Sequence, residues 1–227
     1  MKTILITLIG SLLLGITQSG TAQTTTITFG IRGGAGISLL SYDTNINSLT
    51  EGSGTSSGFS FNVSGLMNIQ LNKRFAIQPE LVYCSESAQN SETFVRVYSN
   101  GVPGGKTNYA VSRMLTTINV PILFKRTIGE PKAGQFNILA GPSVGLILSL
   151  IDQERIDPPV DKQPSVVNYD MTQTDQIQYG LLLGADYRIL DEIFMDIRLN
   201  YNISRHLDTP SYYATFSNVA IGIGCLF

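Results

Sequence analysis

The stretch Ile193-Phe-Met-Asp-Ile-Arg-Leu-Asn-Tyr-Asn-Ile-Ser204 separates into two rows of side chains. The odd-numbered row is apolar throughout, from Ile193 to Ile203. The even-numbered row carries charges and amides, among them Asp196 and Arg198. Successive side chains of a β-strand point to opposite faces, so this period of two predicts a strand with one apolar and one polar face.

The same alternation recurs in eight segments, the last of which ends at Phe227. We predict strands at 27–39, 59–71, 74–87, 112–126, 134–148, 175–188, 192–205 and 216–227. The connections alternate in length: 72–73, 127–133 and 189–191 are short, and 40–58, 88–111, 149–174 and 206–215 are long. Short periplasmic turns and long external loops are typical of outer-membrane barrels. The sequence therefore predicts an all-β fold, an eight-stranded antiparallel up-and-down transmembrane β-barrel with both termini in the periplasm.

Aromatic residues of the apolar rows gather at the two ends of the predicted strands. They are Phe29, Phe75, Phe124, Phe136, Tyr187 and Phe227 at the predicted periplasmic end, and Phe59, Phe61, Tyr83, Tyr179 and Tyr201 at the opposite end. Aromatic belts at both membrane interfaces are expected of a barrel in a bilayer. Their placement supports lipid contact around the whole apolar face.

The first 22 residues have the features of an export signal. Lys2 is followed by the apolar segment 4–16 and by the small residues Gly20 and Ala22, which suits a signal peptide at 1–22 and a barrel domain at 23–227. A membrane anchor is the alternative interpretation, but the apolar run is shorter than the ~20 residues that a spanning helix needs.

Charge and cysteine content argue against nucleic-acid binding and against a disulfide. A formal net charge of −2 gives no basic footprint for nucleic acid. Cys84 lies in a predicted inward row and Cys225 in a lipid-facing row. Side chains on opposite faces of a sheet cannot meet disulfide geometry, so two free thiols are predicted.

Seven charged residues fall in the inward rows. They are Arg32, Glu80, Lys125, Asp186, Arg188, Asp196 and Arg198. Side chains largely fill an eight-stranded lumen, and buried charges must be paired. We interpret the seven as a structural network that plugs the lumen with polar and charged side chains. A gated ion or solute path is the alternative, although wide aqueous channels need about 16 or more strands.

Two other functional classes remain open at this level. Ser204, His206 and Asp208 are close in sequence and would suit an outer-membrane lipid hydrolase, but catalysis requires convergent geometry. A soluble periplasmic lipocalin-like carrier would also be all-β, with its apolar face turned inward around a ligand. We predict no enzymatic activity, no cofactor and no metal, since zinc sites need several His or Cys ligands and the chain has one histidine.

Four segments carry a resemblance to a known family. They are Gly30-Ile-Arg-Gly-Gly-Ala-Gly-Ile-Ser38, Phe75-Ala-Ile-Gln-Pro-Glu-Leu-Val-Tyr83, Ile118-Asn-Val-Pro-Ile-Leu-Phe-Lys125 and Ala140-Gly-Pro142. With the closing aromatic, they resemble the outer-membrane β-barrel proteins of the Bacteroidota, the group that includes the PorT-like proteins. The resemblance implies an eight-stranded outer-membrane barrel without a catalytic residue or known substrate. It also implies that Phe227 is read by the barrel assembly machinery. Outer-membrane lipid is the other expected partner. The sequence of the loops does not indicate a further partner.

Overall fold

The computed structural model describes residues 26–46, 50–97, 103–129, 134–157, 165–168, 177–204, 207–209 and 212–227. The proposed signal peptide lies outside them. The strands are β1 (Thr26–Ile46), β2 (Thr50–Gln70), β3 (Phe75–Val97), β4 (Pro103–Ile128), β5 (Phe136–Asp157), β6 (Ser165–Asn168), β7 (Ile177–Arg188), β8 (Ile193–Asn202), β9 (Leu207–Thr209) and β10 (Tyr212–Leu226). No helix long and apolar enough to cross a membrane occurs in this part of the chain.

The long strands close into a barrel. The order is β1-β2-β3-β4-β5-β7-β8-β10, all neighbours are antiparallel, and β10 pairs with β1. The short strands β6 and β9 pair with β5 and β10 outside this cycle. Phe227 and Phe29 exchange backbone hydrogen bonds of 2.8 and 3.2 Å at the seam. The predicted fold class is confirmed, and closure leaves no sheet edge within the wall.

Exposure of whole residues separates the two faces of the wall. Ile197 and Ile221 are 52 % and 64 % exposed, whereas Asp196 and Arg198 are 6 % and 4 % exposed. The predicted outward and inward rows agree with this division. The alternation in the segment 59–71 predicts an outward side chain for Ile69, which is nevertheless only 7 % exposed. It lies in register between Ile27 and Ile77 of the adjacent strands, where apolar neighbours on the same face cover one another.

At the end opposite the short turns, the strands extend further than predicted. β1–β2 pairing reaches Ile46 with Thr50, and β3–β4 pairing reaches Val97 with Pro103. These residues lie within the predicted loops 40–58 and 88–111, and β5 likewise runs into the predicted loop 149–174. Beyond the hydrocarbon neither face of a hairpin has to be apolar. The alternation that identifies a membrane strand therefore stops before the strand does.

A β-bulge in β5 changes which face its residues occupy. Thr116 pairs with Ser149 while Thr117 pairs with Ile147, so Leu148 is the extra residue. Ile147 and Leu150 are both buried, at 4 % and 2 % exposure, although they differ in parity. An extra residue on one strand shifts every later side chain to the other face. The inward row of β5 is therefore odd-numbered before the bulge and even-numbered after it.

Prolines interrupt the hydrogen-bond ladder in one sector of the wall. Pairing of β3 with β4 skips two positions next to Pro121, and pairing of β4 with β5 skips two positions next to Pro142. Proline has no N–H to donate to the ladder. The ladder is consequently interrupted at these two places in the wall between β3 and β5.

Candidate functional site

The middle of the lumen contains a four-residue ionic cluster formed by Arg32, Glu80, Asp196 and Arg198, the central cluster. Arg32 donates from Nε and Nη2 to both carboxylate oxygens of Asp196, at 2.5 and 2.7 Å. Arg198 donates to Asp196 at 2.9 Å and to Glu80 at 2.6 Å. No side chain of the four is more than 5 % exposed. Two positive and two negative charges thus neutralise one another where an unpaired charge would cost several kcal/mol.

Neutral residues complete the central cluster and make room for it. Asn62 accepts a hydrogen bond from Arg32, and Gln78 donates to Glu80 at 2.6 Å. A Cβ atom on Gly222 would lie 2.5 Å from Nη2 of Arg32, and one on Gly34 would lie 2.8 Å from it. The inward glycines at these positions therefore leave the space that the Arg32 guanidinium fills.

A second polar cluster lies toward the short-turn end. Lys125 pairs with Asp186 at 2.7 Å, and Asn137 donates to the other Asp186 oxygen at 2.5 Å. Gln135 donates to Asn137 at 2.9 Å and to Thr127 at 2.6 Å. Lys125 and Asn137 satisfy the two oxygens of the Asp186 carboxylate, and the amide and hydroxyl contacts connect the adjacent strands β4, β5 and β7 on the lumen side.

The structure leaves Arg188 apart from the other predicted network residues. It is half-buried at the end of β7 and makes no ion pair with any described residue. Its backbone N–H donates to Gln135 at 2.9 Å, and its carbonyl accepts from Gly134 at 2.8 Å. The structure therefore pairs six of the seven predicted charges and places the seventh at a strand end.

Sequence reasoning missed two polar pairs. Arg113 binds both carboxylate oxygens of Asp152, each at 2.5 Å. Asn218 donates to Glu86 at 2.6 Å, and Glu86 is 1 % exposed. Arg113 and Glu86 fall in the inward rows of the predicted strands 112–126 and 74–87. The alternation of those strands could therefore have identified both as lumen charges. Asp152 had no such signal, because the bulge at Leu148 moves it to the inward face.

Apolar side chains also fill the lumen, in addition to the polar and charged side chains that the sequence predicts there. One cluster lies toward the end opposite the short turns and consists of Leu40, Ala88, Leu115, Ile147, Leu150 and Phe216. Another, of Leu66, Phe194 and Leu226, lies toward the short turns, and a third comprises Leu123, Leu139 and Leu182. A narrow barrel has little room for water, so apolar groups that face one another inside it pack as they would in any core.

A small cavity of about 30 Å³ borders the central cluster. Arg198 Nη2 and Asn200 Oδ1, from residues that line it, have no protein partner. A donor and an acceptor beside a cavity of this size suit one or two ordered waters. The cavity is far too small to be a hydrated channel.

The hydrolase hypothesis gains no geometric support. His206 lies outside the described residues, as does the Asp208 side chain, so the predicted set with Ser204 stays a prediction. Ser204 Oγ accepts a hydrogen bond from the backbone N–H of Tyr179 at 3.0 Å. Among described residues no three His, Cys, Asp or Glu side chains gather as metal ligands. Cys84 and Cys225 are free thiols, as predicted.

A closed barrel with an apolar outer wall and a packed ionic lumen has the architecture of an outer-membrane protein. A family model described as the outer membrane protein beta-barrel domain matches residues 21–208. The chain belongs to this family. The match includes every wall strand of this outer-membrane barrel except β10, the strand that closes it on β1.

Several solved outer-membrane proteins are similar to this family member. Neisserial surface protein A is 13 % identical with a TM-score of 0.48, and the match covers 89 % of this chain and 99 % of that one. Ail of Yersinia pestis, solved with the heparin analogue sucrose octasulfate, is 8 % identical with a TM-score of 0.38, covering 88 % and 99 %. The outer membrane protease OmpT of Escherichia coli is 7 % identical with a TM-score of 0.47, covering 93 % and 99 %. No curated protein matches the sequence.

The arrangement of faces in this outer-membrane barrel is opposite to that of a lipocalin-like carrier. A carrier of that class places apolar side chains around an internal ligand cavity. Here Phe59, Ile31 and Ile37, each 60 % exposed, lie on the outer face, while ion pairs occupy the lumen. The soluble-carrier alternative is therefore not supported.

Proposed function

We propose that this protein is a non-conducting, non-enzymatic outer-membrane barrel that presents its long hairpins at the cell surface for interaction. The packed lumen is the observation that carries the proposal. The central cluster, the Lys125–Asp186 pair and the apolar clusters occupy the interior in succession. If the barrel does not conduct solutes, its function must depend on its outer surface and its projecting hairpins.

The projecting hairpins support a surface role. A tilted strand needs about 9–11 residues to cross a bilayer, whereas β3 and β4 contain 23 and 26 residues. The described pairing between β2 and β3 ends at Ser57 with Gln89, so beyond this point the β1–β2 and β3–β4 hairpins are not joined through these two strands. Segments held up by a rigid barrel are well placed to bind a partner.

Orientation follows the usual topology of the class. Both described ends, Thr26 and Phe227, lie at the end with the short turns, which we assign to the periplasm. An epitope inserted within 98–102, between β3 and β4, should be bound by antibody on intact cells. An epitope after Lys73 should be bound only after permeabilisation, and the reverse result would overturn the orientation.

We also propose that the chain belongs to the Bacteroidota branch of the family, because its motifs resemble those of PorT-like proteins.

We expect the purified barrel in planar bilayers to show no steady conductance. The ion pairs and apolar clusters leave a cavity of about 30 Å³ beside the central cluster, which has room for about two waters. A 16-stranded porin inserted under the same conditions is the positive control. Stable open channels of uniform size would contradict the sealed lumen.

Deletion of Phe227 should slow assembly in cells more than it destabilises a barrel already folded in detergent. Phe227 is 72 % exposed at the aromatic belt and shares two backbone hydrogen bonds with Phe29. We propose that the barrel assembly machinery reads this terminal aromatic. Heat-modifiable gel mobility after expression measures assembly, and urea unfolding of refolded protein measures stability. Normal assembly of the truncated chain would show that Phe227 is an ordinary strand residue.

A further inference from the structure

The short-turn end of the barrel carries three exposed basic residues on neighbouring backbone segments, Lys73, Arg74 and Arg126, which we call the basic corner. Lys73 and Arg74 form the turn between β2 and β3, and Arg126 lies near the end of β4. The backbone N–H of Thr127 donates to the Arg74 carbonyl at 2.8 Å, and Arg126 is the register partner of Phe75. All three basic residues are exposed, and none forms an ion pair with a described residue.

The backbone of the basic corner is fixed by its own turn. Asn72 Oδ1 accepts hydrogen bonds from the N–H groups of Arg74 and Phe75, at 2.9 and 3.0 Å. The Leu71 N–H donates to the Phe75 carbonyl at 2.9 Å. An Asx turn of this kind holds the chain without a regular helix or sheet. The turn therefore presents its basic side chains from a defined position.

The basic corner borders the lipid-facing surface rather than the lumen. The Arg126 guanidinium carbon lies 5.9 Å from the centre of the Phe75 ring, within reach of a cation–π contact. Phe75 and Phe124 belong to the aromatic belt and are 47 % and 62 % exposed, and Leu71 beside the turn is 43 % exposed. A cation stacked on a belt aromatic lies at the depth of lipid headgroups.

The opposite side of the same end has a net negative charge, from two exposed carboxylates against the half-buried Arg188. Asp191 and Glu192 are exposed in the turn between β7 and β8. In the barrel order this turn is four strands away from the β2–β3 turn, half-way around the eight-stranded wall. The charge at this end is therefore local, and a ligand that seeks positive charge would distinguish the two sides.

We infer that the basic corner binds the phosphate of an anionic phospholipid, such as phosphatidylglycerol, in the leaflet at the short-turn end. The two guanidinium groups can donate in pairs to phosphate oxygens, and the ammonium group adds charge. The acyl chains of the same lipid would lie along Leu71, Phe75 and Phe124. A soluble phosphate has no such second contact, so the corner should favour the lipid over the free ion.

Native mass spectrometry of the folded barrel with equal amounts of phosphatidylglycerol and phosphatidylcholine tests this site. We expect preferential retention of phosphatidylglycerol, and excess glycerophosphate should not displace it. The double variant R74Q/R126Q should weaken retention by roughly fivefold for each charge removed. R126K keeps the charge but loses the planar group over Phe75, and it should fall between the two.

The matched control is D191N/E192Q, which raises the net charge by the same amount that the first variant lowers it. A local site predicts unchanged phosphatidylglycerol retention in this control, whereas general electrostatic attraction predicts an increase. Equal retention of the two lipids by the wild type, or no loss in R74Q/R126Q, would overturn the inference. Gel mobility confirms that each variant is folded. The measurement does not depend on orientation in the cell, so its result is separate from that of the epitope experiment.

Discussion

Ile197→Arg is expected to lower the free energy of unfolding of the refolded barrel by about 2–4 kcal/mol. Ile197 lies on the outer face of β8 and is 52 % exposed, with Leu199 and Met195 exposed on the same row. An arginine here would have to place its charge in hydrocarbon or distort the wall to reach the interface. Urea unfolding followed by circular dichroism and tyrosine fluorescence is suitable, since the chain contains no tryptophan.

Asn200→Ala is the matched control on the other face of the same strand. Asn200 borders the lumen cavity, and its Oδ1 has no protein partner. Removing the amide therefore breaks no protein hydrogen bond at that atom, and the cost should be smaller than that of Ile197→Arg. Equal tolerance of the two changes would contradict the assigned facing of β8.

Asp196→Asn is expected to cost about 3–5 kcal/mol, the range found when one partner of a buried ion pair is removed. Both carboxylate oxygens of Asp196 accept hydrogen bonds from Arg32, and Oδ2 also accepts one from Arg198. An amide keeps the size of the side chain but leaves Arg32 without an anionic partner within the central cluster. Arg198 keeps its bond to Glu80 at 2.6 Å, so the loss should be concentrated on Arg32.

Asp191→Asn provides the control for this second change. Asp191 is exposed in the turn between β7 and β8, and surface substitutions of this kind usually change stability by less than about 0.5 kcal/mol. The double variant Arg32→Met with Asp196→Asn removes the stranded charge and should recover part of the loss. Equal urea midpoints for Asp196→Asn and the wild type would show that the central cluster does not stabilise the barrel.

Ile197→Arg and Asp196→Asn test the outer and the inner face of the same strand. The outer face is stabilised by contact with lipid, so a charge is costly there wherever it is placed near mid-membrane. The inner face tolerates charge only where partners are arranged around it. Asp196 and Ile197 are adjacent in sequence, and the alternation of β8 alone makes one position require a carboxylate and the other exclude a charge.

The sequence by itself determined the wall of this barrel. In β8 the apolar and polar rows predicted from 193–204 are the exposed and buried rows of the structure. The two aromatic belts and the three short turns also follow from local pattern. These features depend on the side-chain period of a strand and on the solvent that each face meets, and both act residue by residue.

Tertiary structure decided how the lumen is filled. The bulge at Leu148 turns Asp152 inward to meet Arg113, and no local pattern at 149–152 announces it. Leu40 and Phe216 come together with Leu115 although they are far apart in sequence. Arg188 has the right parity and yet stands apart from the ion pairs. The position of a residue in the alternation of its strand determines which face its side chain occupies. The partner that the side chain contacts in the lumen depends on register, bulges and curvature, and these are set only when all eight wall strands have paired.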